Sequence, residues 1–101
     1  MPQDTLEAFV EESLRRSLER GYHPTIFQKM RQDYGLERAI EKLVESSDIQ
    51  SGFARLKDLG LLDWSLEAAV IRFPGSFPVK TREYAGFRLS HAKDRTLRGR
   101  I

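Results

Sequence analysis

The sequence predicts an all-α fold, a compact bundle of five to six short helices. Apolar residues recur at three- and four-residue spacings along most of the 101-residue chain, and glycine and proline divide this pattern into short segments. No stretch of the sequence shows the sustained alternation that is typical of strands. A hydrophobic content of 40% suits one core, so we expect residues 1–92 to form a single helical domain and residues 93–101 a basic C-terminal extension.

The first helix is predicted to begin at Asp4 and to end near Arg20. Asp4 and Glu7 have the spacing of a capping box, and Gly21 follows the last turn as a left-handed stop. Its inner face is an apolar stripe made of Leu6, Phe9, Val10, Leu14, Leu18 and Tyr22. Its outer face places acids four residues before bases, and the predicted ion pairs are Glu11 with Arg15 and Glu12 with Arg16.

Two further helices are predicted on either side of Gly35. Pro24 suits the first position of the second helix, and the third begins directly after the glycine. This pair invites comparison with a helix-turn-helix, but Arg31 falls where a small residue normally packs and Glu41 where an apolar one is needed. An ordinary helical hairpin is therefore favoured. The apolar stripes are Ile26, Phe27, Met30 and Tyr34, then Leu36, Ala39, Ile40, Leu43 and Val44.

The second half of the chain predicts a fourth helix over roughly residues 48–59, a short fifth helix and a last helix. The predicted caps of these helices are Ser47 with Gln50, Asp63, and Thr81. Pro74, Gly75 and Pro78 fall within five residues and predict a loop without regular structure before the last helix. That helix is expected to carry Tyr84, Ala85, Leu89 and Ala92.

The predicted core collects the apolar stripes of these helices. Its members are Leu6, Phe9, Val10, Leu14, Leu18, Phe27, Met30, Ile40, Leu43, Phe53, Leu56, Leu59, Trp64 and Val70. Aromatic residues of the C-terminal third are also favoured as core residues over stacking platforms for nucleic-acid bases. These residues are Phe73, Phe77, Tyr84 and Phe87.

The segment from Ser51 to Val70 carries the pattern S-G-F-x-R-L-x-x-L-G-x-L-D-x-S-x-E-x-x-V. It resembles a recurrent signature of small bacterial helical proteins and terminal domains, in which it also follows an amphipathic N-terminal helix. Residues 77–89 resemble, more loosely, the closing helix of the same proteins. The resemblance covers roughly residues 5–90 and implies helical architecture, with no activity or cofactor. Gly86 and the extension from Lys93 to Arg100 depart from the signature.

The charge is distributed unevenly along the chain. Residues 1–71 hold nine Lys/Arg and thirteen Asp/Glu, a net charge of −4, whereas residues 72–101 hold eight Lys/Arg and two Asp/Glu, a net charge of +6. Such a density of bases suits contact with phosphates or with an acidic protein surface. The candidate partner-binding residues are Arg72, Lys80, Arg82, Arg88, Lys93, Arg95, Arg98 and Arg100.

Several classes of site lack their sequence signature. The chain has no cysteine, and its two histidines, His23 and His91, have no ligand-type partner at helical spacing, so we expect neither a metal nor another cofactor. Neither a nucleophile elbow nor a glycine-rich phosphate loop is present. The N-terminal residues and the short apolar runs predict neither a signal peptide nor a membrane span, and we expect a cytoplasmic protein.

These observations favour a non-enzymatic binding or regulatory module that acts through another protein, with the basic C-terminal third as its surface. The alternative is a nucleic-acid-binding protein that uses the same bases without strong sequence readout. Self-association is a third reading, because an acidic part and a basic end are also complementary between two copies.

Overall fold

Six α-helices make up most of the computed structural model, which describes residues 5–46 and 51–98, with side chains at 5–46 and 53–91. No strand is found within those ranges, so the predicted all-α bundle is confirmed. The helices are α1 (Leu6–Glu19), α2 (Thr25–Tyr34), α3 (Leu36–Glu45), α4 (Ser51–Asp58), α5 (Leu66–Arg72) and α6 (Val79–Arg98). Two one-turn 3-10 helices, Leu62–Trp64 and Pro74–Ser76, flank α5. In the described part of the chain, no helix has the length and apolar character that a membrane crossing requires.

Helix α1 ends where the sequence predicts but begins one residue later. The cap is Thr5, whose hydroxyl accepts from the Ala8 amide, so the prediction of Asp4 as the cap is wrong. Asp4 itself lies outside the described residues. Both residues are good caps, and the backbone turns into the helix at the second of them.

The buried face of α1 is narrower than the predicted apolar stripe. Its most buried positions include Val10, Ser13 and Ser17, which follow each other at helical spacing. The Ser13 hydroxyl donates to the Trp64 carbonyl, so a polar side chain is satisfied inside this contact. Leu18 is 44% exposed because it lies beside this stripe rather than on it, and its prediction as a core residue is wrong.

One of the two predicted ion pairs on α1 is present. Arg16 lies 2.8 Å from Glu12, as predicted. Arg15 instead pairs with Glu12 and Glu19, and Glu11 reaches across to Arg31 of α2 at 2.9 Å. The predicted pair between Glu11 and Arg15 is therefore wrong, because each side chain finds a closer partner.

The α2–α3 hairpin turns at Gly35, whose φ of 91° suits a residue without a Cβ. In α3 the predicted stripe is confirmed, since Ala39, Ile40, Leu43 and Val44 are buried and Leu36 packs against the core. Of the α2 stripe, Phe27 is buried and Met30 packs against the core. Ile26 and Tyr34 are exposed.

Around α4 and α5 the predicted order of elements holds, and the caps differ. Ser47 and Gln50 lie outside the described residues. Ser65 caps α5 by accepting from the Ala68 amide, so Asp63 is not the cap as predicted; it lies in the 3-10 helix that precedes Ser65. The Trp64 ring stacks on Phe9, with centroids 4.9 Å apart.

Helix α6 closes the bundle by packing against α5 and α3. The loop before it contains one 3-10 turn, where no regular structure was predicted. The helix begins at Val79, so Thr81 does not cap it. Thr81 is instead fully buried, and its hydroxyl donates to Glu45 of α3 at 2.5 Å.

Candidate interaction surface

The basic residues of the C-terminal third do not form one continuous surface. Arg88 lies inside the bundle, with only 13% of its side chain exposed. Its guanidinium donates to the Glu67 carboxylate at 2.7 Å and to the backbone carbonyls of Leu43 and Ser46. Arg88 therefore joins α5 and α6 to the end of α3, and its predicted contribution to a partner-binding surface is replaced by a structural one.

The partner of Arg88 is a buried carboxylate. The side chain of Glu67 is 6% exposed. Burial raises the pKa of the Glu67 carboxyl above its ordinary value of 4.5, and the hydrogen bond from Arg88 opposes that rise. The two charges balance each other in the interior, and neither lies on the outer surface of the bundle, where a protein or a nucleic acid would bind.

Arg72 and Lys80 are exposed bases with contacts inside the molecule. The Arg72 guanidinium lies 5.7 Å from the centre of the Phe9 ring and 5.8 Å from that of Phe73. Lys80 is 68% exposed, and its ammonium lies 3.9 Å from a carboxylate oxygen of Glu45. An exposed pair at this distance contributes little to stability, so Lys80 is free to turn toward a partner.

The other predicted bases lie further along α6. Arg82 is half-buried, and its buried Nε has no hydrogen-bond partner. Lys93, Arg95 and Arg98 belong to the last turns of α6. Arg100 lies outside the described residues.

Two exposed aromatic side chains lie on this same helix. Phe87 is 65% exposed and Tyr84 is 40% exposed, whereas Phe77 is buried and Phe73 packs against the core. The core prediction is therefore confirmed for the two aromatic residues that precede α6 and is wrong for the two within it. The Phe87 ring stacks on exposed His91 at a centroid distance of 4.9 Å.

These aromatic residues share one face of α6. Lys80, Tyr84, Phe87 and His91 follow each other at spacings of four, three and four residues, which is the repeat of a single helical stripe. We call these four residues the α6 outer stripe. A parallel stripe one position further along faces the bundle and consists of buried Thr81, buried Ala85 and the largely covered Arg88. The same repeat places backbone positions 95 and 98 in line with the outer stripe.

Sequence reasoning missed this stripe because it assigned aromatic residues to the core by their hydrophobicity. The signal that distinguishes the two faces is the size of the residues in the parallel stripe. Thr81 and Ala85 are small enough for α6 to approach α3 and α5 closely, whereas Phe87 is not.

Other candidate ligands are dispersed. His23 lies in the exposed loop before α2, and His91 belongs to the outer stripe. Among the described residues, no three metal-ligating side chains come together. Comparison of the chain with protein-family models, with curated proteins and with solved structures found no match.

Proposed function

We propose that this chain is a non-enzymatic binding module, located in the cytoplasm, that recognises another protein through the α6 outer stripe. The observation that carries the proposal is the exposure of Phe87 and Tyr84, one turn apart on a helix that packs against α3 and α5. Adjacent exposed aromatic side chains expose apolar area to water, and such area marks interaction sites when it is continuous. Aromatic residues also supply a large share of binding energy at protein interfaces.

Charge defines the kind of partner. Lys80 lies at one end of the outer stripe, and the last turns of α6 add Lys93, Arg95 and Arg98. A complementary segment presents an apolar surface to the aromatic rings and acidic residues around it. The partner proposed here is therefore an acidic, amphipathic segment of another protein.

The second candidate is nucleic acid, and the net charge of +6 over residues 72–101 favours it. Two of the eight bases are used within the fold, since Arg88 is buried and Arg72 packs over aromatic rings. Phosphate binding depends on the number of free cations, whereas a protein interface depends on a few aromatic anchors. The exposure of Phe87 and Tyr84 supports a role for them as such anchors, and we therefore place the protein partner first.

Site-specific photocrosslinking in cells tests this proposal. A photoreactive phenylalanine analogue replaces Phe87 in the full chain, and the same analogue replaces exposed Tyr34 of α2 as the matched control. We expect a discrete protein adduct at position 87 that is absent at position 34. The crosslinked peptide of the partner should carry acidic residues, and Lys80→Glu should remove the adduct, because it reverses the charge at the end of the stripe.

Three results would contradict the proposal. Adducts at position 87 with nucleic acid, lost as salt is raised, would favour the second candidate. An adduct with twice the mass of the chain would identify self-association. Equal labelling at positions 87 and 34 would show that the outer stripe is ordinary surface.

A further inference from the structure

A cavity of about 200 Å³ lies between the helices. Its lining is mostly apolar and runs from exposed His23 and Thr25, near the start of α2, to buried Ser17 and Glu67. The cavity therefore opens to solvent beside α2 and reaches the Glu67–Arg88 pair inside the bundle. Trp64, the one tryptophan of the chain, forms part of its wall.

The size of the cavity selects small ligands. An apolar cavity of about 150 Å³ holds a benzene molecule, whereas pockets for drug-sized ligands begin at about 300 Å³. A volume of about 200 Å³ therefore suits a single ring with one small substituent.

The polar end of the cavity selects the substituent. Glu67 Oε2 accepts from Arg88, and the carboxylate also accepts from the backbone amide of Glu67 itself. A carboxylate offers about four lone-pair sites, so these two donors leave acceptor capacity for a ligand. The charges of Glu67 and Arg88 already balance, so a further buried charge would lose its hydration without gaining a counter-ion. A neutral donor group loses no ionic hydration on burial and needs no counter-ion.

We propose that this cavity binds a small, neutral ligand that has a single apolar ring and one hydroxyl or N–H donor directed at Glu67. The site is separate from the α6 outer stripe. Ligand binding there would occur whether or not the chain also binds a protein.

Four single-ring probes test the chemistry of the site on the full chain. Phenol carries the donor, toluene replaces its hydroxyl by a methyl group, and benzoate and benzylammonium carry opposite charges. Binding is followed by the fluorescence of Trp64, excited where phenol does not absorb, and by amide chemical shifts of the residues that line the cavity. We expect saturable binding of phenol, with toluene about fivefold weaker because it loses one hydrogen bond, and both charged probes at least tenfold weaker than phenol.

Ser17→Leu tests whether the ligand occupies this cavity. Ser17 is buried against the cavity, and leucine fills part of the space that a ring would take. We expect at least a tenfold loss of phenol affinity in this variant. Ser90→Leu, the same change at an exposed position on α6, is the matched control and should bind phenol as the unmodified chain does.

Specific outcomes would overturn this inference. Absence of saturable phenol binding below about 10 mM would exclude the site for this ligand class. Tighter binding of toluene or of a charged probe would contradict the donor chemistry. Equal phenol affinity in Ser17→Leu and Ser90→Leu, with both variants folded by their urea unfolding curves, would place the ligand elsewhere.

Discussion

Replacement of Arg88 by methionine tests how the bundle tolerates its buried charges. The substitution keeps an unbranched side chain of similar length but removes every donor. Arg88 donates to Glu67 and to two backbone carbonyls at the end of α3, so the change leaves a carboxylate in the interior with no counter-ion. Breaking a buried pair in this way costs about 3–5 kcal/mol. That is a large part of the ~5–15 kcal/mol that stabilises an ordinary domain.

The stability lost in Arg88→Met should come from the unpaired Glu67 carboxylate rather than from removal of the arginine alone. In the double variant Glu67→Leu, Arg88→Met, no charge remains buried, and we expect most of the lost stability to return because apolar packing replaces the pair. Arg38→Met is the control for removal of an exposed arginine. The Arg38 side chain is 62% exposed and pairs with Glu41 at 3.4 Å, so its loss should change the free energy of unfolding by at most ~1 kcal/mol.

Urea unfolding followed by the fluorescence of Trp64 measures all of these variants, because the chain has a single tryptophan and it stacks on Phe9 of the core. The reasoning is refuted if Arg88→Met costs no more than Arg38→Met. It is also refuted if the double variant is less stable than Arg88→Met, since the carboxylate would then not be the source of the loss.

Three further predictions use the same assay. Burial raises the pKa of Glu67 above 4.5, so at pH values between 4.5 and the folded-state pKa the folded chain holds a proton that the unfolded chain has lost. The free energy of unfolding should therefore fall as pH rises through this range. Glu67→Gln should flatten this decline, and an unchanged slope would contradict the prediction. Thr81→Val removes a buried hydrogen bond to a carboxylate and should cost about 1–3 kcal/mol, whereas exposed Thr25→Val should cost little; equal losses would count against it. Gly35→Ala should cost about 1 kcal/mol or more because its φ is 91°, and Gly75→Ala, without a positive φ, should cost less.

The general architecture could be predicted because several helices carry only one possible apolar stripe. In α3 the apolar residues are Leu36, Ala39, Ile40, Leu43 and Val44; the last four are buried, and Leu36 packs against the core. Glycine marks the points at which one apolar helical stripe ends and the next begins. Gly35 has a positive φ at the α2–α3 turn, as its position between two stripes predicts.

Helix starts were predicted less well because two suitable caps lie close together. Asp4 and Thr5 are adjacent, and Asp63 and Ser65 are two residues apart. The side chain that caps is the one at which the backbone enters the helix, and that point depends on packing between distant segments. For Ser65, a 3-10 turn that places Trp64 against Phe9 intervenes before α5.

The buried ion pair could not be predicted from the sequence. Glu67 and Arg88 are 21 residues apart on different helices, and both are of residue types that usually lie at the protein surface. Only the packing of α6 against α5 brings them together. The cavity has the same origin, since side chains from all six helices contribute to its wall.

The pair also accounts for the orientation of α6. This helix carries two parallel stripes, an inner one with Thr81, Ala85 and Arg88, and an aromatic one with Tyr84 and Phe87. Hydrophobicity alone favours burial of the aromatic stripe. Rotation of α6 to achieve this would withdraw Arg88 from Glu67 and leave a buried carboxylate unpaired, at a cost of about 3–5 kcal/mol. The same rotation would break the hydrogen bond from buried Thr81 to Glu45, at a further cost of about 1–3 kcal/mol. Burial of Phe87, the more exposed aromatic residue of the two, would return about 1.5–3 kcal/mol, so these buried polar contacts together oppose burial of the aromatic stripe.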